Sequence, residues 1–128
     1  MSLTSPLRRV LGPGSAKQGV QHWWVQRLTS VALVPLTIWF AVSLIALPGL
    51  DHATVVAWLR HGVTAVLLLL LVLLGAWHSQ LGLRVIVEDY LHGSGTKTLA
   101  LVLLTFLHVL LAAITAFAIL RLALRGGA

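Results

Sequence analysis

The sequence predicts an all-α integral membrane protein built of three transmembrane helices. Three observations lead there. Of 128 residues, 59% are hydrophobic and only 9% are charged, whereas a soluble domain carries about 25% charge. Too few polar side chains remain to coat a water-facing surface, so the solvent is lipid. The apolar residues gather in three runs long enough to cross a bilayer, and turn-forming residues stand between them.

The first run, residues 28–47 (LTSVALVPLTIWFAVSLIAL), has no charge across twenty residues. Pro35 lies inside it, which membrane helices tolerate better than soluble ones. The 27 residues before the run, and its length, argue against a cleaved signal peptide. The stretch LGPGSAKQG predicts an irregular cytoplasmic arm over residues 1–21, leaving 22–128 as the transmembrane domain. The second span covers residues 62–83, broken only by His78, Ser79 and Gln80. The third covers 98–120, broken by His108. LPGLDHAT and LHGSGTKT mark the connections.

Charge sets the expected orientation. Arg8, Arg9, Lys17, Arg27, Arg84 and Lys97 fall on one side, and Arg60, Arg121 and Arg125 on the other. The positive-inside rule then places the N-terminus in the cytoplasm, or its organelle equivalent, and the C-terminus outside, which for the expected bacterial inner membrane is the periplasm. The net charge of +6 does not indicate nucleic-acid binding, because no basic stripe is interleaved with aromatics. The basic residues suit topology and lipid headgroups instead. With no cysteine, disulfides and thiolate metal sites are excluded.

The functional candidates concentrate in GAWHSQLGLRVIVEDYLHG, residues 75–93. A histidine inside a membrane helix is costly and marks function, and neutral imidazole is a common haem ligand. Gly75 and Gly82 lie three residues before and four after His78, on roughly its face. They leave room for a flat macrocycle. The same pattern also suits an interhelical hydrogen bond with glycines permitting close packing, or a proton relay. Asp89 follows His78 by eleven residues, which returns to nearly the same face about 16 Å along a continuous helix. Tyr90 offers a phenol donor. The ordinary alternatives are an Arg84–Glu88 pair and a tyrosine of the interfacial aromatic belt. In QHWWVQRL, Trp23 and Trp24 read as interface anchors. Arg27 either snorkels or holds a buried anion. His22 lies about 140° from Arg27 around a helix, so the two share a face only if the helix starts after His22.

GSAKQGVQHWWVQRLTSVAL, followed one span later by HSQLGLRVIVEDYLHG, resembles the hydrophobic membrane-anchor subunit of succinate dehydrogenase. The likeness is to the smaller, D-type anchor of the alphaproteobacterial and mitochondrial sort, associated with cytochrome b. It runs from about Gly12 through the third span, and the histidine followed eleven residues on by Asp-Tyr is its most specific part. The resemblance implies three helices packed against a second three-helix anchor (cytochrome b) subunit. An iron–sulfur subunit would dock on the pair, carrying a flavoprotein subunit with FAD. It implies haem b between the anchors, with His78 as one axial ligand and a companion histidine as the other. Arg27 matches a residue near the haem propionates. His22 joins it where the interval to Arg27 is the family's, an interval that differs by one among relatives. Asp89 and Tyr90 match residues beside the ubiquinone site. Succinate chemistry itself would lie on the partner subunits, since the chain has no nucleotide-binding glycine loop and no cluster cysteines.

No family role matches His108. It is expected to bond a backbone carbonyl within the bundle, the other reading being a second haem ligand. His52 and His61 are expected to be solvated, and His92 to lie near the quinone entrance. Two rival functions stand beside the anchor. One is a small proton-conducting transporter or channel subunit using His78 and His108; the other is an anchor that has lost haem but keeps a quinone site.

Overall fold

The computed structural model describes residues 16–124, and every regular element in them is an α-helix. The order is α1 (Ala16–Ala46), α2 (His52–Leu59), α3 (Gly62–Tyr90) and α4 (Ser94–Leu124). The three long helices are each apolar enough to cross a membrane, so the chain is a multi-pass membrane protein. Each runs 29–31 residues, or about 45 Å at 1.5 Å per residue. That exceeds a hydrocarbon core of about 30 Å, so the helices continue into the headgroup layers.

The helix ends differ from the hydropathy spans in instructive ways. α1 already runs from Ala16, so residues 16–21, expected to be irregular, are helical. The single Gly19 costs about 1 kcal/mol of helix propensity, which a helix this long absorbs. Pro35 sits inside α1 without ending it. α3 passes through Arg84 and stops only at Tyr90, because charge marks the edge of lipid and not the end of the hydrogen-bond ladder. The remainder of the expected arm, and Arg8, Arg9 and Arg125 of the charge count, lie outside the described residues.

The first connection contains a helix that hydropathy does not reveal. Asp51 caps α2: Oδ2 accepts from the Thr54 amide at 3.1 Å and Oδ1 from the Thr54 hydroxyl at 2.7 Å. Trp58 of α2 stacks on Trp39 at 6.1 Å and lies 6.2 Å from Phe40. α2 thereby closes the end of the bundle over Ala65, Leu68 and Ile119, the buried apolar residues of the described chain.

The long helices do not form a closed triangle. α1 and α4 each pack on α3 and their backbones do not approach one another, so α3 is the middle plank of a three-helix layer. Its two sides carry different polar groups. Much of the remaining apolar surface is exposed, including Val31, Ile45, Phe106 and Phe117, and is left for lipid or for another membrane chain.

The Thr54 hydroxyl, and then its amide, hold the Asp51 carboxyl below its ordinary pKa. A depressed folded-state pKa means that this contribution is complete above the unfolded value, about 3.9. It is lost as pH falls through the lower folded value. Asp51→Ala is therefore expected to speed hydrogen exchange at the start of α2 at pH 7, while Asp51→Asn, which also caps, leaves it near the parent rate. Equal exchange in all three would remove the cap from the account.

Candidate functional site

His78 faces α1, not lipid. Its Nδ1 lies 2.9 Å from Thr29 Oγ1 and its Nε2 lies 3.3 Å from Gln26 Nε2. Thr29 is only 4% exposed, one of two buried polar side chains among the described residues. Its hydroxyl also lies 2.9 Å from the Val25 carbonyl and 3.0 Å from that of Gln26. His22, Gln26 and Thr29 recur at four- and three-residue steps, so they form one polar stripe down α1. Two atoms of that stripe, His22 Nε2 and Gln26 Oε1, are buried without a hydrogen-bond partner among the described residues. Buried polar atoms are nearly always paired, so the seam is chemically incomplete within this chain.

Beside His78 lies an open groove of about 420 Å³, lined by Ser30, Leu33, Val34, Thr37 and Ile38. A Cβ built on Gly75 meets nothing within 4 Å, so no contact inside the chain requires glycine there. A Cβ on Gly82 meets the Gln26 amide nitrogen at 3.7 Å, an ordinary contact. Gly82 thus faces α1, as the packing reading expects. Gly75 borders open space. No cluster of three His, Cys, Asp or Glu able to hold a metal occurs among the described residues. His78 is the histidine that lines the apolar groove beside α1.

The other sequence candidates divide. Because α3 runs unbroken from Gly62 to Tyr90, Asp89 does return to within about 20° of His78. Asp89 and Tyr90 are exposed at the helix end, Tyr90 to 77%. Arg84 Nε donates to Glu88 Oε1 at 2.8 Å, and Lys97 Nζ donates to the Glu88 carbonyl at 2.8 Å. The nearest arginine in the sequence is thus taken by Glu88 and not by Asp89. His22 and Arg27 both sit within α1 and face apart. His22 lines a cavity of about 710 Å³ with Trp77, Arg84 and Glu88. Arg27 is exposed and lies over Trp23, 5.3 Å from the ring centre.

His108 Nδ1 donates to the Leu104 carbonyl at 2.8 Å, within its own helix. It lines a small space with Trp77 and Gln80, and Gln80 in turn donates to Thr105 at 3.0 Å. Gln80 stands about 160° around α3 from His78. The two intramembrane histidines therefore occupy opposite sides of α3. His52, His61 and His92 are exposed. Thr29 is the residue that sequence reasoning passes over; its spacing from His22 and Gln26 inside an otherwise apolar helix is the signal that reveals it.

Comparison with known proteins agrees with this architecture. Residues 1–120 match the family model of the succinate dehydrogenase/fumarate reductase transmembrane subunit. The succinate dehydrogenase hydrophobic membrane anchor subunit of Paracoccus denitrificans is 29% identical over 97% of this chain and 95% of its own length. That of Rickettsia bellii is 33% identical over 61% of this chain. The chain spans only 62% of the Rickettsia relative's length. The succinate dehydrogenase membrane anchor subunit of Reclinomonas americana is 28% identical over 73% of this chain and 80% of its own. No solved structure matches.

Since Gly75 meets no neighbour, Gly75→Ala is expected to leave the fold intact and to stabilise α3 by up to about 1 kcal/mol through helix propensity. Thermal unfolding in detergent checks this; a clear loss of stability would mean that the glycine is a packing residue.

Proposed function

The chain belongs to the succinate dehydrogenase/fumarate reductase transmembrane subunit family, and we propose that it is the small membrane anchor of a succinate:ubiquinone oxidoreductase. In this reading it binds haem b jointly with a second anchor chain and forms one wall of the ubiquinone site. FAD and iron–sulfur clusters sit on partner subunits, and the iron–sulfur subunit docks at the end of the bundle that carries Tyr90. That end faces the cytoplasm by the positive-inside rule. The observation that carries the proposal is the inward imidazole of His78, held by α1 beside an apolar groove.

His78 is the residue of this chain that would hold haem b, through a ring nitrogen, together with a ligand from the companion chain. When bound, haem b adds a one-electron store within the membrane. The apolar walls Leu33, Val34 and Ile38 keep water from the groove. The unpartnered His22 Nε2 and the exposed Arg27 are the polar atoms this chain offers to carboxylates at the cytoplasmic edge.

Reduction of a quinone adds two electrons and two protons, and negative charge builds on the carbonyl oxygens in between. A hydrogen-bond donor placed there stabilises that charge. The Tyr90 phenol is free for this at the end of α3. Asp89 is exposed to the aqueous edge, where it can pass protons inward or orient an arginine of a partner chain. The proton-conducting alternative needs His78 and His108 in one file, and α3 stands between them.

Replacing His78 with Leu in the assembled complex is expected to abolish the b-type band of the reduced-minus-oxidised spectrum. An unchanged band would strike His78 from the ligand set, and a parent complex without the band would point to an anchor that has lost haem. Tyr90→Phe is expected to lower quinone reduction by up to about a hundredfold, the scale for removal of one preorganised donor. Succinate oxidation by an artificial dye should persist. Parallel loss of both activities would assign Tyr90 to assembly.

A further inference from the structure

We propose that Thr29 is a positioning residue for His78, fixing the tautomer and rotation of the imidazole so that Nε2 is the nitrogen offered to iron. The inference rests on the haem reading above and assigns a role to a residue on a different helix.

The argument is one of proton counting. Thr29 Oγ1 has three neighbours within hydrogen-bond distance: the Val25 carbonyl at 2.9 Å, the Gln26 carbonyl at 3.0 Å and His78 Nδ1 at 2.9 Å. A hydroxyl has a single proton to give and two lone pairs to offer, and a carbonyl oxygen can only accept. Were the proton sent to Nδ1, two carbonyl oxygens would face hydroxyl lone pairs at about 3 Å with no proton between them. The proton therefore goes to the backbone of α1, shared by the two carbonyls. A lone pair is left facing His78, and Nδ1 must carry a hydrogen to meet it.

An imidazole protonated at Nδ1 has its free lone pair at Nε2. The contact at Nε2 agrees, since the Gln26 amide nitrogen is a donor and needs an acceptor there. That contact is 3.3 Å, beyond the usual range for such bonds, and the other end of the same amide has no partner. Nδ1 is thus held closely by a buried hydroxyl, and Nε2 loosely by a side chain with little else to keep it. This asymmetry suits a ligand whose outer nitrogen is fixed while its inner nitrogen remains exchangeable. A hydrogen bond from the outer N–H also raises the basicity of the ligating nitrogen and favours the ferric state.

The test uses the complete complex with its companion subunits. Haem content, an anaerobic redox titration and the ferric low-spin resonance are compared in the parent, Thr29→Val and Thr29→Ser. Thr29→Val removes the hydroxyl at nearly constant shape. The ferrous-to-ferric ratio at fixed ambient potential is expected to rise several-fold, with a displaced ferric resonance. Thr29→Ser keeps the hydroxyl and is expected to titrate as the parent does. If Thr29→Val loses haem altogether, Thr29→Ser decides: retained haem with the parent potential upholds the role, and lost haem overturns it. Parent-like titration of Thr29→Val overturns it, as does an equal shift in both variants, which would reflect a general change of packing at position 29 and not the loss of the hydroxyl. His78→Leu separates this from the underlying reading. A haem band that survives that change defeats ligation itself, whereas a band that needs His78 but ignores Thr29 defeats only the positioning role.

Discussion

A polar side chain can sit in a membrane helix only where another polar group meets it, and that constraint organises this chain. Water is absent from the bilayer core, so each donor or acceptor there must find a partner in protein. The seam between α1 and α3 satisfies the rule in part. Thr29 is bonded on all sides, His78 is bonded closely at Nδ1 and loosely at Nε2, and His22 Nε2 and Gln26 Oε1 have no described partner. The seam fixes which face of α3 meets α1. It thereby fixes the helical phase of everything else on α3, including Asp89 some three turns along.

The arrangement of helices follows from giving α3 two polar sides. One side offers His78 to α1, the other offers Gln80 to Thr105 of α4. A helix bonded on opposite sides becomes the centre of a row and not one corner of a triangle, and α1 and α4 accordingly stay apart. A row of helices buries little: Ala65, Leu68 and Ile119 are the buried apolar residues, and no large side chain is fully enclosed among the described residues. Between apolar helices in lipid, packing and hydrogen bonds replace the hydrophobic drive. A single layer with broad exposed faces is therefore suited to association with a second membrane chain.

Much of this was legible in the sequence, for reasons that also explain what was not. The three spans are visible because lipid imposes composition directly, and the distance from His78 to Asp89 is meaningful because helical period is fixed. The ends of α3 and α4 were hidden, since hydropathy reports where lipid stops while helices continue through Arg84 to Tyr90 and start early at Ser94. α2 was hidden because eight residues are too few for a periodic signal, and its stability depends on Asp51 below and Trp39 beside it. Thr29 escaped notice because a threonine near a helix entrance is commonplace. Its burial arises only when α3 brings His78 across from 49 positions away.

Incompleteness is the property that joins fold to function. A site whose parts all came from one chain would close on itself, as structural metal sites do. Here no cluster of three metal-ligating side chains occurs among the described residues, the groove beside His78 is open, and Tyr90 is exposed at the end of α3. The chain nevertheless prepares its share before any partner arrives: the hydroxyl of Thr29 has already committed the proton of His78, and α3 has already aligned Asp89 with it. Preparing one half of a site on rigid helices lowers the ordering cost of completing it. In the proposed reading, leaving the other half out makes completion depend on assembly, so that haem and companion chain would stabilise the same structure.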